Sequence, residues 1–284
     1  MRERLPVATR LVHEDHKGGP GRPHGLDHQS ADHDLCHRGS AMKRSGSDPP
    51  AGVTPPGRAD VGLPDGLTVR LLALLAAAAG CLDVLCVVRL GGAFASVITG
   101  NLVQLGRGAA TPDVRLLMAA TAAVGGYAVG VAAGTAILGR RGAGWYRRTS
   151  VVAAVEVALL ICVAAAWWAT EGRPGPGTAD ALLALAGAAM GVQSAITLSS
   201  GVREASTTCM TGTLTSVVRT LTTGPHRLVG IFGGIVRLTA LLCGAAIGAL
   251  VLRIAPLWAP VLPAALVGGV AVTAAAYGAL LRSR

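Results

Sequence analysis

The sequence is poor in aromatic residues (3%) and has only 14% charged residues, where a soluble domain carries about 25%. Set against 51% hydrophobic residues, that scarcity excludes an ordinary water-exposed globular domain and makes a lipid bilayer the expected solvent. Acidic side chains are scarcest beyond residue 66, where Asp83, Asp113, Glu156, Glu171, Asp180 and Glu204 face sixteen Arg. Residues 1–66 hold nine basic and nine acidic side chains, so the net charge of +10 belongs wholly to the remainder. Those Arg are scattered singly between apolar runs instead of lining one polar helix face. This pattern argues against a nucleic-acid partner and for basic loops obeying the positive-inside rule. No C-x-x-C pair occurs among the six cysteines. Cys81, Cys86, Cys162, Cys209 and Cys243 fall inside apolar segments and are expected to be small buried hydrophobes, with Cys36 in the polar tail. Also missing are H-E-x-x-H, G-x-S-x-G and the Walker A pattern, and His226 is the sole histidine beyond the tail, in a loop beside Pro225 and Arg227. The chain is therefore not expected to be an enzyme, and no cofactor is called for.

The first 66 residues contain no apolar run longer than a few residues, are crowded with Gly, Pro, Asp and Ser, and cannot bury enough surface to offset the entropy of ordering. They are expected to form a disordered polar tail. Six histidines, His13, His16, His24, His28, His33 and His37, stand there among Asp and Glu, which are ligand types for zinc or nickel. Their spacing follows no fixed pattern, so the tract is read as a solvated tail or as sequence upstream of a start at Met42. No metal site is assigned to it. A cleavable signal peptide is not evident, since no short apolar stretch follows the amino terminus.

From Leu67 to Arg284 an integral membrane domain is expected. Long apolar segments run about 67–88, 114–139, 149–170, 180–200, 228–253 and 258–281, each long enough to cross a roughly 30 Å core. Two anomalous segments lie between them. Residues 93–106 (AFASVITGNLVQLG) make a helix too short to span, at about 21 Å, and residues 205–222 (ASTTCMTGTLTSVVRTLT) carry too many hydroxyls to face lipid.

The two halves resemble each other. Leu71-Leu72-Ala73-Leu74 recurs as Leu182-Leu183-Ala184-Leu185, and Gly80 as Gly191, at an offset of 111; Thr99-Gly100 recurs as Thr211-Gly212 at 112. Gly130-x-x-x-Gly134 is echoed by Gly244-x-x-x-Gly248. The spacing predicts an internal duplication, with repeat 1 at about 67–139 and repeat 2 at about 180–253. Orientation follows from Arg140, Arg141, Arg147 and Arg148, which mark a cytoplasmic loop, and from the acidic, Pro/Gly-rich loop 171–180, which reads as external. If neither short segment crosses, ten Arg lie inside and five outside; if both cross, the count is seven against eight. Letting 93–106 alone cross also gives ten against five, but symmetry between the halves favours six spans plus two short or re-entrant helices. Both termini are then cytoplasmic and the repeats inverted. Trp145, Tyr146, Trp167, Trp168 and Trp258 fall near predicted span ends, where aromatic belts sit.

Gly80-x-x-Asp83, Phe94, Thr99-Gly100-Asn101-Leu102, Met190-Gly191-x-Gln193 and Thr211-Gly212-x-Leu214 together resemble the YoaK-like family of bacterial multi-pass proteins, domain of unknown function 1275. The resemblance covers roughly residues 67–281. Where the family often follows the second-half Gln with Asn, Ser194 follows Gln193 here. It implies an integral membrane protein of unestablished activity and leaves function to the residues.

Polar groups inside a bilayer are costly and usually face the bundle interior. Asp83, Glu156 and Arg237 are the intramembrane charges, read either as a buried ion pair or as an ion-coupling set, with Arg237 expected to pair with Asp83 or Glu156. The two Thr-Gly elements are expected to open half-helices, Thr as N-cap and Gly for close approach, with free amides aimed at a ligand. The candidate substrate-binding set is Asp83, Ser96, Thr99, Gly100, Asn101, Gln104, Gln193, Thr211, Gly212 and Thr213. Paired broken segments are the best sequence pointer to a transporter site, whereas the same Thr and Gly also serve plain helix packing. The expectation is an all-helical bundle in the cell membrane acting as a secondary transporter or permease for a small polar solute. The alternative is a scaffold or sensor whose buried polar groups are structural. The lipid bilayer is the one firm partner, and a homo-oligomer is compatible.

Overall fold

The computed structural model describes residues 63–139, 147–200, 210–223 and 228–282. Residues 1–62 of the expected polar tail, with its histidine tract and Met42, the loop holding Arg140, Arg141, Trp145 and Tyr146, and Arg203, Glu204, Cys209 and His226 lie outside the described residues, while α1 begins inside the expected tail at Asp65. Eight α-helices are described: α1 (Asp65–Arg89), α2 (Ile98–Ala110), α3 (Val114–Leu138), α4 (Arg147–Ala169), α5 (Pro176–Ser199), α6 (Met210–Thr223), α7 (Leu228–Ile254) and α8 (Val261–Arg282). A 3-10 turn, Pro256–Trp258, joins the last two, and no strand occurs among the described residues. Six helices, all but α2 and α6, are long and apolar enough to cross a membrane. Their outward faces carry Leu74, Val129, Ile161, Phe232, Leu250 and Val272, all exposed. Helices apolar on both inner and outer faces suit a bilayer, not water.

Two parallel helix pairs form the frame. A Cβ on Gly244 would overlap the carbonyl oxygen of Ala77, and one on Gly248 would lie 2.8 Å from Cys81 Cα, so α1 and α7 run in the same direction with backbones touching. The Cys81 thiol donates to the Gly244 carbonyl at 3.0 Å across this contact. In the same way Gly126 and Gly130 lie against the backbone of Ala184 and Ala188, so α3 and α5 are also parallel. Small residues permit such approach, and dispersion between backbones then replaces the hydrophobic drive that lipid does not supply.

The ends of the helices decide the path of the two short ones. Gly91, just past α1, lies with its Cβ position 3.1 Å from Ala119 Cβ and 3.7 Å from Arg115 at the start of α3. Arg115 in turn bonds Asp180 at the start of α5 at 3.0 Å. The chain therefore leaves α1 and enters α3 at the same end of the bundle, so segment 92–113, α2 included, returns without crossing. Trp167 at the end of α4 donates to Pro256 at 3.0 Å, which brings the end of α7 to that side too. It follows that α5 ends and α7 begins at the opposite end, and the stretch holding α6 returns there. Six crossings with two returning segments at opposite ends agree with the expected span count.

Two expectations need correction. Trp167 is fully buried, not in an interfacial belt, because its indole N–H has a carbonyl partner inside the turn; Trp168 and Trp258 are exposed and meet edge-on at 5.9 Å. Cys81 and Cys86 are buried, but Cys162 and Cys243 lie exposed on outer faces, where lipid accepts a thiol as readily as the core does.

Candidate functional site

Four of the predicted site residues meet around the connector between α1 and α2. Gly91 and Gly92 have φ of +105° and +86°, a conformation that Cβ-bearing residues resist, and they turn the chain back along α1. Asp83, six residues before the end of α1 and thus about 9 Å below it, accepts from Ala95 N–H and Ser96 N–H on Oδ1, each at 2.8 Å. Its Oδ2 accepts from the Ser96 hydroxyl at 2.5 Å. Asn101 on α2 bonds the Phe94 backbone in both directions, accepting from its N–H at 2.9 Å and donating to its carbonyl at 2.7 Å. Gln104 donates to the Gly92 carbonyl at 2.9 Å. These contacts hold residues 93–97 in a non-helical path, which is why α2 starts at Ile98 and not at residue 93.

Gly100 packs on the Phe94 ring with its Cβ position 3.5 Å away, and Thr99 is exposed beside it. The cap position of α2 belongs to Val97 and has no side-chain hydrogen bond, so Thr99 does not cap the helix as expected. With Asn101 replaced by Ala, the Phe94 N–H loses its acceptor, and stability should fall by about 1–3 kcal/mol. Thermal unfolding of the purified chain in detergent would read this, and an unchanged midpoint would contradict the bracing role.

The second-half residues are placed elsewhere. Thr211 and Gly212 open the described part of α6 on an exposed face, while Thr213 is buried with its methyl 3.0 Å from the Cβ position of Gly234 on α7. Gln193 is buried in α5 and donates to the Leu75 carbonyl of α1 at 3.2 Å, tying the two halves together. One turn position on, Ser194 is bonded by the Tyr127 hydroxyl at 2.8 Å. The first-half set and the second-half set thus do not converge on one cavity: α2 returns at one end of the bundle and α6 at the other.

The intramembrane charges also depart from expectation. The carboxylate of Asp83 is held by amides and a hydroxyl, not by Arg237, and Glu156 takes no cation either. The one ion pair among the described residues is Arg115 with Asp180, at the surface. Arg237 is buried on α7, level with Arg70 by the Gly244–Ala77 register, and so lies toward the opposite end from Asp83. Glu156 is completely buried in α4 and neither of its oxygens has a hydrogen-bond partner. A charged side chain at such depth costs about 3 kcal/mol even on insertion scales, so this carboxyl is the least explained polar group by structure alone. Sequence reading named Glu156 but gave it no priority over Asp83; the Ser96 and Asn101 contacts that separate the two are invisible in a linear pattern.

No group of three or more metal-ligating side chains occurs among the described residues. A family model described as "Protein of unknown function (DUF1275)" matches residues 71–273. No curated protein and no solved structure matches the chain.

Proposed function

We propose that this chain, which belongs to the DUF1275 family, is a secondary transporter or permease for a small polar solute in the cell membrane. The observation that carries the reading is the pair of short helices, α2 and α6, that return at opposite ends of a six-span bundle. Discontinuous segments in opposed orientation are the device by which transporter folds present backbone amides and carbonyls inside a membrane. The packing is consistent with inverted repeats. α1 lies on α7 as α5 lies on α3, α5 meets α4 as α1 meets α8, and α2 meets α3 as α6 meets α7. Gly80 and Gly191, corresponding positions, each sit against the backbone of a parallel neighbour. Such symmetry lets the two halves exchange roles when access alternates. The Arg distribution supports cytoplasmic placement of both termini.

A second reading, a non-transporting scaffold or sensor, is favoured by one observation: Asp83, Ser96, Asn101 and Gln104 are all committed to bracing a connector. The two are separated by flux in liposomes holding the purified chain, screened against pooled small polar solutes beside protein-free vesicles. Solute-dependent flux is the expected result. Silence from well-folded preparations across all pools would instead establish the scaffold or sensor reading.

A further inference from the structure

Glu156 lies nine residues from the start of α4 and thirteen from its end, about 14 Å and 20 Å along the helix axis, close to the middle of the span. It has no exposed surface, and neither oxygen meets a donor. The surroundings differ sharply in the two directions. Toward Ala169 the buried side chains of α4 are Leu160, Val163, Ala164 and Trp167, and those of α5 at the same levels are Leu182, Leu183, Ala186 and Met190, all but the indole N–H apolar. Toward Arg147 the buried residues include Thr149 on α4 and Gln193, Ser194 and Thr197 on α5. Val152 and Ala153 share a buried cluster with Val192 and Ile196, which places these polar groups on the adjoining turns of two antiparallel helices. Other titratable or charged groups stand on the elements packed against α4. α5 has Asp180, bonded to Arg115 of α3 at the far end; α3 also has Tyr127, bonded to Ser194; α8 has Tyr277 and, at its last position, Arg282; α4 itself begins with Arg147 and Arg148.

We infer that Glu156 is a proton-binding site, reached in this conformation from the Arg147 end of the bundle along the Thr149, Thr197, Ser194 and Gln193 line. Water entering that polar line accepts the carboxyl proton, leaving a carboxylate, and returns it; no other bond changes. On the Ala169 side the apolar seal gives a proton nothing to follow. A carboxyl closed from one side and approachable from the other is what proton coupling by alternating access requires. Proton binding itself does not depend on a solute being carried, so the inference stands apart from the transport reading.

The test uses the full chain in liposomes and the apolar reagent dicyclohexylcarbodiimide. A protonated carboxyl adds across its C=N bond, the proton to nitrogen and the oxygen to carbon, with rearrangement to a stable acylurea and no leaving group. Peptide mass spectrometry should find Glu156 modified at acid pH, with modification lost as the pH rises. In pH-difference infrared spectra the carbonyl stretch of a protonated carboxyl should be present in the parent and missing in Glu156→Gln, while Glu156→Asp restores a band. Thr197→Val should slow the response to a pH jump applied at the Arg147 end. Absence of modification at every pH, modification that ignores pH, or spectra unchanged by Glu156→Gln would each overturn the inference. Intact pH-dependent modification without any flux would instead sink the transport reading alone, and flux without modification would sink only the proton site.

Discussion

Gly130→Val should shift the unfolding midpoint far below that of the parent, and Gly125→Val, five residues away on the same helix, should leave it nearly unchanged. A Cβ at Gly130 overlaps the Ala188 carbonyl, whereas at Gly125 it meets nothing within 4 Å. The obstacle at Gly130 is backbone, which cannot swing aside as a side chain does, so α3 and α5 must separate along their length. Overpacking of a close-packed contact costs about 1–3 kcal/mol and sometimes more, and the parallel pair loses dispersion along the whole seam besides. Gly244→Val tests the matching seam between α1 and α7, with Gly269→Val on the open face of α8 as its control. Detergent thermal melts of the four variants are sufficient. Equal shifts at Gly130 and Gly125 would mean that loss of glycine itself, not the crossing, is responsible.

Asp83→Ala is expected to be the most damaging single change outside the glycine seams. It leaves the Ala95 and Ser96 amides and the Ser96 hydroxyl buried without an acceptor. At 1–3 kcal/mol for each stranded amide, the loss is roughly 2–6 kcal/mol. Asp83→Asn keeps a carbonyl oxygen for the two amides and should cost much less. Ser96→Ala removes the hydroxyl contact only, so the double variant Asp83→Ala/Ser96→Ala should be less destabilised than the sum of the singles, by an amount that a double-mutant cycle reads directly. If Asp83→Ala melted with the parent while abolishing flux, the residue would belong to the solute path and the bracing account would fail.

Much of the candidate site was legible as a list of residues and little of it as roles. Asp83 stands out because a charge is costly in a membrane, and Ser96, Asn101 and Gln104 because they surround the Thr99-Gly100 element, and the four do come together. The reason they come together is a folded-back connector whose amides need acceptors, and no periodicity announces a hydrogen bond between residues 83 and 95 or between 101 and 94. The expected ion pair with Arg237 fails for the same reason: pairing depends on the level at which helices cross, and the Gly244–Ala77 contact sets Arg237 level with Arg70, about three and a half turns from Asp83 along the parallel pair. Thr99 looked like a helix cap on propensity alone, but tertiary contacts at Asp83 and Asn101 moved the start of α2 one residue ahead of it.

By itself the sequence determined the solvent and the six long spans, because hydropathy and length act locally: a run of some twenty apolar residues must satisfy its own backbone as a helix wherever it lies. It also marked 93–106 and 205–222 as different, since a short or hydroxyl-rich helix cannot match the bilayer. Only the tertiary structure decided that the first of these returns to its own end, that α1 pairs in parallel with α7 and α3 with α5, and that Asp83 is consumed by a turn while Glu156 is left without a partner. Those are facts about which backbones approach within a few ångström across 58 residues of chain at Gly130–Ala188 and 167 at Gly244–Ala77. They follow from glycine seams and buried amides that become informative only once both sides of each contact are in place.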